Sequence, residues 1–179
     1  MRIIFLDVDG VLNHDGNYRF LPPRIHRTIF GRHRTDIDVH RVDRVRQIVY
    51  ATDAHIVVSS SWRREPKELE ALLVMLEEGG IPRGRIIGCT PRMKEALKDL
   101  GLNKHMKLIA PRGLEIHAYL ASREDVESFV ILDDNSIVFR GVASEALIEY
   151  LEPRFVKTKA STGITAADVA QSINLLLHG

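Results

Sequence analysis

Residues 1–12 read MRIIFLDVDGVL. Arg2–Leu6 is an apolar run rich in Ile and Phe, ended at once by Asp7, Asp9 and Gly10. A short continuous apolar run bounded by turn-forming residues predicts a buried strand. Strands of this kind belong to parallel sheets, whose connections lay helices over both faces. Working outward, Ile56–Val58 and Phe129–Leu132 repeat the pattern, and each ends in a polar cluster, Ser59-Ser60-Ser61 and Asp133-Asp134. Arg85–Ile87 and Arg154–Lys157 are shorter runs of the same kind. Between the runs the apolar period becomes helical. Val42, Val45, Ile48 and Val49 share one face of a helix over His40–Thr52. Leu69, Leu72, Leu73 and Leu76 do the same after Pro66, and Gly79-Gly80 supplies the stop. A short helix is expected over Lys94–Leu100, and others over Gly113–Ala121 and Ser144–Leu151, the last stopped by Pro153. Thr165 with Asp168 three residues on predicts a capping box for a final helix. Strands alternating with helices predict an α/β fold, a three-layer Rossmann-like parallel sheet with helices on both faces.

The length of 179 residues suits a single domain over 1–179. With 45% of residues apolar and 27% charged, the chain can bury a real core, which excludes a disordered segment. No apolar run reaches the roughly 18 residues of a transmembrane helix. The apolar N-terminal run is too short for a signal peptide and lacks a small-residue cleavage site. A single cysteine, Cys89, excludes an internal disulfide, and a reducing, cytoplasmic setting is expected. Cys89 has no histidine partner by motif, and the eight histidines show no metal-binding spacing.

The polar clusters carry the chemistry. In a parallel sheet all strand ends of one polarity meet at one edge, and ligands bind beyond the carboxyl ends. Asp7 and Asp9 would there meet Asp133 and Asp134. Such a group of carboxylates is unfavourable unless a cation holds it. Oxygen-only donors point to a hard divalent ion, Mg²⁺ above all. Each piece alone has an ordinary explanation. Asp-x-Asp-Gly is common turn chemistry, a serine run after a strand caps helices, and paired acids at a strand end are often a solvated turn. Their order, and their shared place after strands, give them a joint meaning.

FLDVDGVL, IVVSSSW and ILDDN resemble the first, second and fourth motifs of the haloacid dehalogenase (HAD) superfamily. Arg112, ahead of the helix that precedes the fourth motif, resembles the third. SSSWR, GCTPR, RGLEI and the tail TKASTGIT are similar to the HAD domain of Swiss-army-knife RNA repair proteins. The resemblance implies a Mg²⁺-dependent phosphomonoesterase acting on a phosphorylated substrate through an aspartyl-phosphate. It implies Asp7 as nucleophile and Asp9 as general acid and base. Mg²⁺ would be held by the Asp7 carboxylate, the Asp9 carbonyl and Asp133 or Asp134. Ser59, Ser60 and Arg112 would bind the phosphoryl group, and Gly10 would let the chain turn beside it. Lysine is the commoner residue in the third motif, so Lys94, Lys98, Lys104 and Lys107 compete with Arg112 for that role.

Residues 13–38 show no steady period and are expected to form a basic flap, a minimal cap too short to close over a site. Arg24, Arg27, Arg32 and Arg34, with Tyr18, Phe20 and Phe30, would line a positive lip for nucleic-acid ends or nucleotides. The plainer reading is a solvated face partly paired with Asp36, Asp38 and Asp43. Trp62 either packs beneath the phosphate loop or stacks on a base. Two rival functions stand beside the polynucleotide phosphatase: a phosphatase of small sugar phosphates, and a non-catalytic phosphate- or partner-binding module. A receiver domain is excluded by order, because its acidic pair follows the first strand and here the pair comes late.

Overall fold

The computed structural model describes residues 1–14, 37–92, 112–135 and 145–179. Its five strands are β1 (Arg2–Leu6), β2 (His55–Val58), β3 (Ile86–Cys89), β4 (Ser128–Asp133) and β5 (Phe155–Lys157). All pair in parallel, in the order β3-β2-β1-β4-β5. The chain steps outward from β1 through β2 to β3, then returns to the other side of β1 for β4 and β5. A switch of direction at the central strand opens a crevice at its carboxyl end.

The register decides what lies in that crevice. Leu6 pairs with Val58 on one side and with Leu132 on the other. The next residue of each strand, Asp7, Ser59 and Asp133, therefore arrives at one level. Two further ladder bonds hold them there, Asp7 N to Leu132 O at 3.0 Å and Ser59 N to Leu6 O at 2.8 Å.

Five helices are described: α1 (Val39–Thr52), α2 (Pro66–Glu78), α3 (Arg112–Ala121), α4 (Glu145–Leu151) and α5 (Ala166–His178). Strand alternation sorts the core into two layers. Ile4, Leu6, Ile56, Val58, Val130 and Leu132 face α1, α2 and α5, meeting Val45, Ile48, Leu72, Leu76 and Leu176. Ile3, Phe5, Val57, Phe129 and Ile131 face α3 and α4, meeting Ile116, Tyr119, Leu147 and Leu151. Burying each such side chain is worth roughly 1.5–3 kcal/mol, so β1, apolar on both faces, is the strand the fold can least spare. Phe5 is gripped edge-on by Tyr119 and Phe129, with ring centroids 5.7 and 5.8 Å away.

Sequence and structure agree closely on β1, α1 and α2. β3 begins one residue later than expected because Arg83–Arg85 winds into a 3₁₀ turn. β4 runs one residue further, so Asp133 sits inside the ladder, its carbonyl bonded by Thr158 N at 3.1 Å. The capping box forms as predicted, with Thr165 Oγ1 accepting from Asp168 N and Asp168 Oδ2 accepting from Thr165 N. No helix among the described residues is long and apolar enough to cross a membrane. Most of the expected flap, and the expected helix over Lys94–Leu100, lie outside the described residues.

Candidate active site

Asp7 is the first residue beyond β1, and its side chain is buried. Its Oδ1 accepts from Val8 N at 2.8 Å, and its Oδ2 accepts from Arg112 Nη1 at 2.5 Å. The Ser60 hydroxyl also bonds this carboxylate. Asp133, almost wholly buried at the end of β4, accepts from Asn135 N at 2.8 Å through Oδ1 and from the same Arg112 nitrogen through Oδ2. Asp134 is half-buried beside them. Asp7, Asp133 and Asp134 each bring a carboxylate oxygen within 4.8 Å of the others.

One guanidinium thus faces three carboxylates. Burial raises the pKa of Asp7 despite Arg112. Burial, then the neighbouring Asp7 charge, pushes Asp133 up to about 7. Asp134 is raised by the same two causes in the same order. For Arg112 burial works against the charge, but Asp7 and Asp133 more than offset it, and the guanidinium is held above its ordinary pKa. When all three acids are ionised, one arginine leaves two negative charges to be compensated. An oxygen-only donor set with that excess fits a hard divalent cation.

The loop after Asp7 is fastened from three sides. Gly10 has φ +73°, and a Cβ there would fall 2.4 Å from Asp134 Cγ, so only glycine lets the loop lie against the second acid. Asn13 Oδ1 accepts from Gly10 N at 2.8 Å, and Asn13 Nδ2 donates to Asp9 Oδ1 at 2.9 Å. From the serine turn, Trp62 Nε1 donates to the same Asp9 oxygen at 3.4 Å. From the end of β5, Thr158 Oγ1 donates to Gly10 O at 2.7 Å. Asp9 is held by these donors, and its charge is felt by Asp134.

A parallel sheet in the order β3-β2-β1-β4-β5, with acids after β1 and β4, is joined by a family match. The family described as the HAD domain in Swiss Army Knife RNA repair proteins matches residues 3–169. The chain belongs to this family. No curated protein and no solved structure matches it. Membership supports phosphatase or phosphoesterase chemistry on a phosphorylated substrate, and the buried acids are compatible with the metal dependence general to HAD proteins.

In this HAD domain the serine turn completes the site. Ser59 is buried at the end of β2, and its Oγ has no hydrogen-bond partner among the described residues. Leaving a buried hydroxyl unpaired costs roughly 1–3 kcal/mol, a cost a phosphoryl oxygen would remove. Ser60 caps the 3₁₀ turn Ser61–Arg64 by accepting from Trp62 N, and its bond to Asp7 ties that turn to the end of β1. Trp62 is only 5% exposed, so it packs beneath the loop and offers no stacking platform for a base. Arg112, the third-motif candidate, opens α3 against Asp7 and Asp133. Its rivals Lys94, Lys98, Lys104 and Lys107, and the lip residues Arg24, Arg27, Arg32 and Arg34, lie outside the described residues.

Several participants were not singled out from sequence. Asn13 reaches back three residues to accept from Gly10 N, the reverse of the usual Asn turn in which the side chain bonds the backbone two residues on. Thr158 had no signal, because its partner Gly10 lies far off in the sequence, in the loop after β1. Arg63 and Glu115 lie within the quoted SSSWR and RGLEI stretches, and the structure joins them as a buried pair.

Proposed function

We propose that this HAD domain is a Mg²⁺-dependent phosphomonoesterase in which Asp7 is the nucleophile. The observation that carries the reading is the meeting of buried Asp7 with Asp133, Asp134 and Arg112, brought from far apart in the sequence to one strand edge. Asp7, Asp133 and Asp134, with the main-chain carbonyl of Asp9, would hold the cation. When bound, Mg²⁺ supplies positive charge that offsets both the nucleophile and the phosphate.

The remaining work falls to the chain. An Asp7 carboxylate oxygen attacks phosphorus, forming the aspartyl-phosphate as the bond to the leaving oxygen breaks. Asp9 gives that oxygen a proton, then takes one from the water that attacks phosphorus and frees Asp7 and inorganic phosphate. Asn13 and Trp62 orient Asp9 for both steps. Arg112 keeps a fixed charge beside the nucleophile, and Ser59 Oγ has a hydrogen bond to give to a phosphoryl oxygen. Preorganised donors of this kind lower the barrier because they need no rearrangement as charge develops.

The test is phosphate release from p-nitrophenyl phosphate with Mg²⁺, comparing wild type with Asp7→Asn. Metal-dependent turnover that disappears in the variant is expected. Turnover that survives Asp7→Asn would overturn the nucleophile.

Phosphorylated nucleic-acid ends are the favoured substrate class. The family's occurrence in RNA repair proteins supports it, as does the basic composition of residues 19–46. The match over residues 3–169 also supports one domain spanning the chain, with 13–38 as its minimal cap. Catalytic efficiency on a 3′-phosphorylated oligonucleotide should exceed that on mononucleotides and sugar phosphates. It should also fall with salt, less steeply once Arg24, Arg27, Arg32 and Arg34 are replaced together. Efficiency indifferent to salt and to those arginines would return the substrate to the small-metabolite class.

A further inference from the structure

Arg63 and Glu115 are the most deeply buried ion pair among the described residues outside the acid cluster, with side chains 3% and 9% exposed. Arg63 lies in the serine turn, and Glu115 lies one helical turn after Arg112 in α3. Arg63 Nη2 donates to Glu115 Oε2, and Nη1 donates to the carbonyl oxygen of Ser60. Its Nε is buried without a partner among the described residues. Burying two charges costs several kcal/mol per ion, and their attraction seldom returns more than that, so the pair is weak as a source of stability.

Its connections close a ring. Ser60 bonds Asp7 through its hydroxyl and Arg63 through its carbonyl. Arg63 bonds Glu115. One turn of α3 leads from Glu115 back to Arg112, which bonds Asp7 and Asp133. Arg112 needs such support. It sits at the N-terminal end of α3, where the helix dipole repels a cation and favours an anion such as Glu115. It also feels the like charge of Arg63, which Glu115 balances.

We propose that the Arg63–Glu115 pair is an internal strut that fixes the serine turn against α3 and thereby positions Arg112 on the Asp7 carboxylate. Both are positioning residues: neither reaches the phosphoryl group, and both act through Arg112 and Ser60. The strut rests on the phosphatase reading only for its kinetic consequence. The contact it is required to maintain, Arg112 against Asp7, exists without substrate.

The test uses the full chain carrying Arg63→Met and Glu115→Leu together. Replacing a buried pair with apolar residues of similar volume is often neutral for stability, so this variant should melt close to wild type. Two quantities are read: kcat on p-nitrophenyl phosphate, and the solvent-exchange rate of the Arg112 guanidinium protons by NMR, assigned through Arg112→Lys. Misplacing a catalytic group by about 1 Å costs roughly 10²-fold, so kcat should fall by about that factor with KM within about twofold, and proton exchange should quicken about tenfold or more. A folded double variant with wild-type kcat and wild-type exchange overturns the strut. Should the double variant fail to fold, Arg63→Lys decides. Lysine keeps the charge but lacks the planar fork that reaches two acceptors, and unchanged exchange and kcat would again overturn the proposal. If the wild-type protein is inactive, the phosphatase reading fails, and the exchange rate alone decides the strut.

Discussion

At Gly10 the loop turns with φ +73° directly against Asp134. Gly10→Ala should cost roughly 1–3 kcal/mol for the left-handed backbone. It should also displace Asp134, so that calorimetric titration with Mg²⁺ finds weaker binding. Affinity equal to wild type would separate Asp134 from the metal. Asp133 makes a prediction in pH. Its folded pKa of about 7 stands above the ordinary 3.8. The folded state therefore holds the proton more tightly. This group's stabilisation is complete below about 3.8 and is lost as pH rises toward 7. The melting temperature of metal-free protein should fall between pH 5 and pH 8, and Asp133→Asn should flatten that fall. Mg²⁺ should raise the melting temperature more at pH 8 than at pH 5, since it replaces the proton as the partner of the acids. The acids themselves were legible in the sequence because each follows an apolar run. Their electrostatic state was not, because it depends on an arginine from a different helix and on burial that only the assembled sheet creates.

Elements that bear on the site do so through their ends. The carboxyl end of β5 contributes Thr158, whose hydroxyl satisfies the buried Gly10 carbonyl. Thr158→Val keeps the shape and removes the donor, and leaving that carbonyl unpaired should cost roughly 1–3 kcal/mol in urea denaturation. Because the same bond restrains the loop carrying Asp9, kcat should drop with it; a variant that loses stability alone would mean the loop needs no brace from β5. The start of α5 is a different case. Thr165→Ala breaks the capping box and should cost roughly 0.5–2 kcal/mol, with kcat unchanged, since α5 packs beneath the sheet. Periodicity exposed α1 and α2 because each carries one apolar stripe, and the capping box announced the start of α5. β3 was placed a residue too early because Arg83–Arg85 is a 3₁₀ turn, and three residues of such a turn have no periodic signature. The 3₁₀ turn at Ser61–Arg64 escaped for the same reason, and the links from Trp62 to Asp9 and from Arg63 to Glu115 escaped with it.

Across the whole molecule, the alternation of apolar runs and helical stripes disclosed the α/β class, and the polar clusters after three of those runs told which edge would carry the site; the switch of direction at β1 came only with the structure. The cross-strand register was beyond reach of the sequence, since a run of four or five apolar residues satisfies several pairings equally well. In the structure, Leu6 between Val58 and Leu132 resolves that choice and levels Asp7, Ser59 and Asp133. The register also has a consequence for the chain as it is made. β1 is the central strand, yet it precedes its neighbours, and β4 follows it only after a long stretch of intervening chain. While a ribosome is still adding that stretch, one hydrogen-bonding edge of β1 has no strand to meet, and Asp7 has neither Asp133 nor Arg112 beside it. Asp7 is thus made well before Arg112 and Asp133, the residues that surround it in the folded site. A nascent chain halted before β4 would present an open apolar edge of the kind that draws strands from other chains, so the same topology that gathers the acids leaves one side of β1 open until β4 is made.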